Sequence, residues 1–150
     1  MNTLGYIFIW LVGGVIMQNI CDLLQTRYWE TFYENNLILL LVSLMAINIT
    51  TISVIMTKLK EISESAPTNF NKTKNAMRES INEQVSLIIA SVLLLMLKKS
   101  QICILTPYAF WWNSGLHAIF IGAVHILWDT AKGVFSLLEF ESVTNKESKK

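Results

Sequence analysis

The stretch Trp111–Phe135, WWNSGLHAIFIGAVHILWDTAKGVF, combines two properties that decide the fold of this chain. It is apolar enough to lie in lipid, and yet it carries His117, His125 and Asp129. Ionisable side chains are costly at membrane depth, so they mark either a functional site or a polar face against neighbouring helices. The choice depends on whether the rest of the chain also forms membrane spans.

The composition favours a membrane protein. Of 150 residues, 53% are hydrophobic and only 15% are charged, and the apolar residues fall in long runs separated by short charged connectors. A helix needs about 20 apolar residues to cross a hydrocarbon core of ~30 Å. The runs predict four spans, at about residues 4–24, 36–57, 81–97 and 108–127, of which the third is the shortest.

The distribution of lysine and arginine predicts the orientation of these spans. With both termini on the inner side, the inner segments hold nine of these residues and the outer segments three. This satisfies the positive-inside bias of membrane proteins. Trp112 and Trp128 lie ~24 Å apart along a helix, which is about the spacing of the two interfacial aromatic belts. We therefore expect a multi-pass protein of the inner cell membrane with both termini in the cytoplasm.

The predicted fold class is all-α, an integral membrane four-helix bundle with an extended cytoplasmic helical hairpin, residues 58–80, between spans 2 and 3. Residues 129–140 mix apolar and charged side chains, which is typical of an interfacial amphipathic helix, and 141–150 are expected to form a disordered tail. The hairpin is either a solvated turn or a docking platform for a soluble partner. Its candidate docking residues are Lys58, Lys60, Glu61, Lys72, Lys74 and Arg78.

The second span carries a stripe of small and hydroxyl side chains spaced three and four residues apart. In lipid, close approach of small residues and hydroxyl hydrogen bonds hold helices together, so the stripe predicts a packing seam. A pore wall is the alternative interpretation. Asn48 lies outside the stripe and needs a partner on a second helix or in a neighbouring subunit. The stripe comprises Ser43, Ala46, Thr50, Ser53 and Thr57.

The last span has one polar face that includes Ser114, His117, His125 and Asp129. We interpret it as a packing face, with a proton or ion pathway and catalysis as alternatives. His125 and Asp129 are spaced four apart and are expected to pair on the helix surface, near the inner interface. His117 lies near mid-membrane without an evident route to water.

The first span carries an outer-side polar cluster of Gln18, Asn19 and Asp22. Gln18 and Asp22 lie on one helix face because they are four residues apart. The cluster either anchors the aromatic first loop or borders an outer vestibule.

Several classes of function are not indicated. The chain has no basic face with interleaved aromatics that would predict direct nucleic-acid binding. It has no phosphate-binding loop, zinc-protease helix or nucleophile elbow, and Cys21 and Cys103 lack the spacing of metal ligands. We therefore expect no enzymatic activity, no metal and no cofactor.

The layout from NTLGYIFIWLVGG through HILWDTAKGVFSLLEFES resembles small four-helix membrane subunits of bacterial anti-phage defence systems, such as the Kiwa membrane protein. This resemblance implies an oligomeric sensor or anchor for a cytosolic effector, and it assigns no residue a role. The sequence thus favours an oligomeric membrane scaffold or sensor that anchors or regulates a cytosolic partner, and the resemblance implies bacterial antiviral defence as its setting. A small ion or proton channel, or a holin-like pore former, is the alternative.

Overall fold

The described part of the chain consists of four α-helices in a computed structural model. The backbone is described for residues 3–65, 70–99 and 109–147, and the side chains for 5–61, 70–71, 73–99 and 109–135. The helices are α1 (Thr3–Leu23), α2 (Tyr28–Ser65), α3 (Asn71–Lys98) and α4 (Ala109–Glu147). These segments contain no strand, which confirms the all-α prediction. Each helix includes a stretch long and apolar enough to cross a membrane.

Helix α1 ends at a tight turn that leads directly into α2. Gln25 adopts a left-handed conformation with φ 51°, and the Thr26 amide donates back to the carbonyl oxygen of Cys21 at 3.1 Å. The Thr26 hydroxyl then accepts from the amide of Tyr28, the first residue of α2. The segment RYWETFYENN, which is the predicted aromatic first loop, is therefore mostly the first turns of α2.

The helices alternate in direction, and α4 packs against each of the other three. Tyr6 lies beside His125, and Cys21 lies beside His117, so α1 and α4 run antiparallel. Asn48 meets Gln84 and Glu30 meets Lys98, so α2 and α3 are also antiparallel. The amino-terminal end of α1 and the carboxyl-terminal part of α4 consequently lie at the same end of the bundle.

Two glycines allow the closest helix contacts. A Cβ at Gly14 of α1 would overlap the backbone of α4 at Ser114 and Ala118. A Cβ at Gly122 of α4 would press on the indole ring of Trp10. Close approach of this kind is how membrane helices gain van der Waals contact where no hydrophobic drive exists between them.

Apolar side chains cover both the inside and the outside of the bundle. Outward-facing residues such as Phe8, Leu39 and Leu93 are more than half exposed, which suits a surface in contact with lipid. The main core cluster brings together α2, α3 and α4. It contains Tyr33, Leu37, Leu41, Leu95, Leu116, Ile119 and Ala123.

The helix bounds differ from the predicted spans at several points. Helix α2 continues to Ser65 and α3 begins at Asn71, so segment 58–80 is helical on both sides of a connection whose residues 66–69 lie outside the described ranges. Helix α4 passes through 129–140 without a break and ends at Glu147. Residues 141–147, expected as part of a disordered tail, are helical because no glycine or proline follows Gly133 to interrupt the helix.

Candidate functional site: two polar pockets

His117 is buried in the bundle and is held by a hydrogen bond from another helix. Its side chain is 2% exposed, and its Nδ1 lies 2.7 Å from the hydroxyl of Tyr33, which is itself 1% exposed. The Sγ of Cys21 lies 3.9 Å from the other ring nitrogen, Nε2. Trp29 and Phe120 surround the His117–Tyr33 pair. The geometry therefore links α1, α2 and α4 through one imidazole.

A cavity of about 310 Å³ borders this imidazole, and we call it the His117 pocket. It extends to the α1–α2 turn, so His117, expected to lack a route to water, faces a polar space. The polar space beside His117 results from the packing of several helices, which residue spacing along one helix does not show. The lining residues include Gln18, Cys21, Asp22, Glu30, Tyr33, Asn113 and His117.

The outer-side cluster predicted on α1 divides into two parts. The amide of Gln18 donates to the Asp22 carboxylate at 2.8 Å, and both residues line the His117 pocket. Asn19 is exposed and donates to the carbonyl oxygen of Val15 in its own helix. The pair thus lies at the pocket, while Asn19 is not among its lining residues.

Sequence reasoning missed three side chains at this end of the bundle. From the sequence, Tyr33 belongs to the predicted aromatic first loop, and Cys21 is an isolated thiol. Lys98 places its ammonium 2.9 Å from Glu30 and 3.0 Å from Glu34, with only 11% of its side chain exposed. The spacing of Trp29, Tyr33, Leu37 and Leu41, four residues each, was the signal that the helix begins early.

A second cavity, of about 340 Å³, lies at the opposite end of the bundle, and we call it the His125 pocket. The half-buried ring of His125 contacts Tyr6 and Trp10 of α1, at centroid distances of 4.8 and 5.8 Å. All four helices contribute to its wall. Its polar lining includes Tyr6, Glu79, Ser80, Glu83, His125, Asp129 and Thr130.

The expected pair between His125 and Asp129 does not form among the described contacts. Asp129 is exposed and lies 3.5 Å from Lys132, one turn further along α4. The imidazole instead packs on aromatic rings of α1, because the polar face of α4 is covered by that helix. Glu83 of α3 lies within electrostatic reach of both His125 and Asp129.

Asn48 finds its partner within the chain. Its amide nitrogen donates to the Gln84 side-chain oxygen at 2.9 Å and to the Ser80 hydroxyl at 3.1 Å. Asn48 is fully buried, so the α2–α3 contact satisfies the requirement for a second helix without another subunit. Ser80 also lines the His125 pocket, which connects this hydrogen-bond cluster to the cavity.

The predicted packing seam on α2 lies on the outside of the bundle. Asn48 and the large apolar residues Leu41, Ile52, Ile55 and Leu59 occupy the opposite, inward face. The hydroxyls donate to carbonyl oxygens four residues back in α2 at 2.8 to 3.0 Å. The seam prediction is therefore wrong for contacts within one chain, and so is the placement of these hydroxyls inside the bundle. The exposed hydroxyl residues are Ser43, Thr50, Ser53 and Thr57.

Ser114, in contrast, is buried where α4 approaches Gly14 and donates to the Phe110 carbonyl oxygen at 2.8 Å.

The described docking candidates on α2 and α3 are exposed, and Lys58 pairs with Glu61 at 2.9 Å. The other exposed candidates are Lys60, Lys74 and Arg78, whereas the Lys72 side chain lies outside the described residues.

Within the described segments, no group of three metal-ligating side chains lies close enough together to hold a metal ion. Comparisons with protein-family models, with curated proteins and with solved structures find no match to this chain. The function therefore has to be argued from the two pockets, the exposed stripe and the helix ends.

Proposed function

We propose that this chain is an oligomeric membrane scaffold or sensor that presents helical ends to a soluble partner, in the inner membrane of a bacterial cell with both termini cytoplasmic. The supporting observation is that three helices run past α1 at one end of the bundle. Helix α1 begins at Thr3, close to the level of His125, whereas α4 continues 22 residues beyond His125. At ~1.5 Å per residue this extension measures ~33 Å.

The same end of the bundle is charged and exposed. Lys58, Lys60 and Glu61 on α2, and Lys74 and Arg78 on α3, have exposed side chains there. A helical surface with charges of both signs has the means to select a partner through electrostatic complementarity. This is the end that the positive-inside bias assigns to the cytoplasm. Defence against phage is the setting that the layout suggests.

Charge reversal at this end tests the scaffold proposal. The double change Lys58→Glu and Lys60→Glu should abolish co-purification of a specific soluble protein from the native cell in mild detergent, with the partner identified by mass spectrometry and then rebound from purified components. Lys99→Glu is the matched control, because it reverses a charge at the other end of the bundle. Equal recovery of the partner with all variants would contradict the proposal.

A pore former is the second candidate, and the exposed stripe on α2 favours it. Hydroxyls that point out of the bundle would meet water if several copies placed their α2 helices around a central axis. The polar face of α4 does not fit this role, since α1 covers it within each chain. Conductance in planar bilayers should then fall with Thr50→Leu but not with Ser86→Leu, which changes an exposed hydroxyl of α3. Absence of any conductance would eliminate this candidate.

A further inference from the structure

The His125 pocket has the size and walls of a small-molecule site. Its volume of about 340 Å³ falls in the range of cavities that hold small ligands. Apolar side chains of α2 and α4, including Ile52, Ile55 and Ile126, line it together with polar side chains of α3 and α4. Such a cavity suits a ligand with one polar group and a compact apolar body.

The charge of the polar lining favours a cation. Glu79, Glu83 and Asp129 line the cavity, and no lysine or arginine is among its described lining residues. Asp129 pairs with the exposed Lys132 at 3.5 Å, and Glu83 lies within electrostatic reach of His125. The carboxylates repel one another in a partly desolvated space, so a positive group between them would be favourable.

The aromatic side chains in the cavity wall favour an organic cation. Tyr6 and Trp10 line the cavity, and aromatic faces attract ammonium groups. A bare metal ion does not use these features.

We propose that the His125 pocket binds an organic ammonium group, such as a quaternary ammonium. Glu83 and Asp129 face the charge, and Tyr6 and Trp10 provide aromatic surface. The ligand is either a free small molecule or a lipid headgroup, because the pocket lies at the end of the bundle where headgroups would meet it. This proposal does not depend on the scaffold function.

Titration calorimetry with the purified full-length protein in an uncharged maltoside detergent tests it. Choline is the soluble probe, and dodecyltrimethylammonium is the membrane-inserted probe. The control ligand is 3,3-dimethyl-1-butanol, which keeps the shape and hydroxyl of choline but lacks the charge. Glu83→Gln should weaken the binding of a cationic probe by about tenfold, since it removes one partly desolvated charge contact. Asp129→Asn, at an exposed position, is the second variant, and Glu61→Gln is the matched control outside the pocket.

Saturable binding of choline that depends on Glu83 or Asp129 supports the proposal with a soluble ligand. The same dependence with dodecyltrimethylammonium alone supports a membrane amphiphile. The proposal is overturned if neither cation binds, if the neutral alcohol binds equally well, or if Glu61→Gln weakens binding as much as the two pocket variants do. Size-exclusion profiles of all variants verify that each remains folded.

Discussion

The His117 and His125 pockets place the same residue type at two ends of one helix face, about 12 Å apart along α4. At the first, the imidazole is buried and shares a 2.7 Å hydrogen bond with a tyrosine of another helix. At the second, it is half-buried, packs on aromatic rings and lies within electrostatic reach of Glu83, for which no salt bridge is described. A shared helix face therefore does not define a shared role; the neighbouring helices do.

The helix contacts near the two pockets differ in the same way. Near His117, Gly14 meets the backbone of α4, which cannot move aside. Near His125, Gly122 meets the ring of Trp10, a side chain with rotatable bonds. The His117 end is thus held by rigid and specific contacts, whereas the His125 end has more freedom to adapt to a ligand.

The largest expected loss in the free energy of unfolding comes from replacing a glycine at a helix contact. Gly14→Ala should lower the free energy of unfolding by about 2–3 kcal/mol, because the added methyl overlaps helix backbone. Gly122→Ala should lower it by less, since Trp10 can shift. Denaturation in mixed micelles measures both, with Gly133→Ala as control because its Cβ would meet nothing within 4 Å. Equal losses at Gly14 and Gly122 would remove the distinction between the two ends.

Removal of one hydroxyl should give the next largest effect. Tyr33→Phe leaves His117 Nδ1 without its described partner and should lower the free energy of unfolding by about 1 kcal/mol. Tyr6→Phe is the matched change at the other end, where the ring packs on His125, and it should have little effect. The same denaturation experiment measures both variants. A larger loss for Tyr6→Phe would reverse the comparison.

Substitution of a lysine at each end should lower the free energy of unfolding by smaller and unequal amounts. Lys98→Met removes the ammonium between Glu30 and Glu34 and should lower the free energy of unfolding by about 0.5–1 kcal/mol at low salt. Lys132→Met should change it little, because that pair with Asp129 is about 60% exposed on both sides. Unfolding curves at low and high salt measure both. A loss from Lys98→Met that does not diminish with added salt would show that packing of its carbon chain, not the charge, holds α3 to α2.

The smallest effect on the single chain should come from the exposed stripe. Thr50→Val removes a hydroxyl whose described hydrogen bond lies within α2, so the free energy of unfolding of the monomer should change by less than about 0.5 kcal/mol. If copies meet through this face, the mass of the assembly in mild detergent should change nevertheless. Thr51→Val, one residue off the exposed face, is the control. An unchanged assembly would place the contact between copies elsewhere.

Residue patterns along the chain are sufficient to predict part of the structure. Apolar runs predict helices long enough to cross a membrane, and the spacing of Gln18 and Asp22 predicts their common face. The same reasoning put the hydroxyl stripe inside the bundle, because a polar stripe on a membrane helix usually packs on a neighbour. The spacing along α2 does not show that the face opposite the stripe, which carries Leu41, Asn48 and Ile52, turns inward.

The sequence by itself determined the helical class and the apolar lengths, since both follow from local composition and from the requirement that backbone groups in lipid bond within their own segment. Only the tertiary structure decided which side chains meet. Tyr33 and His117 are 84 residues apart, and Cys21 and His117 are 96 apart. No periodicity within one helix encodes such a contact, because it depends on the rotation and depth of two helices relative to each other. The two cavities exist for that reason, and one of them, the His125 pocket, carries the ligand proposal.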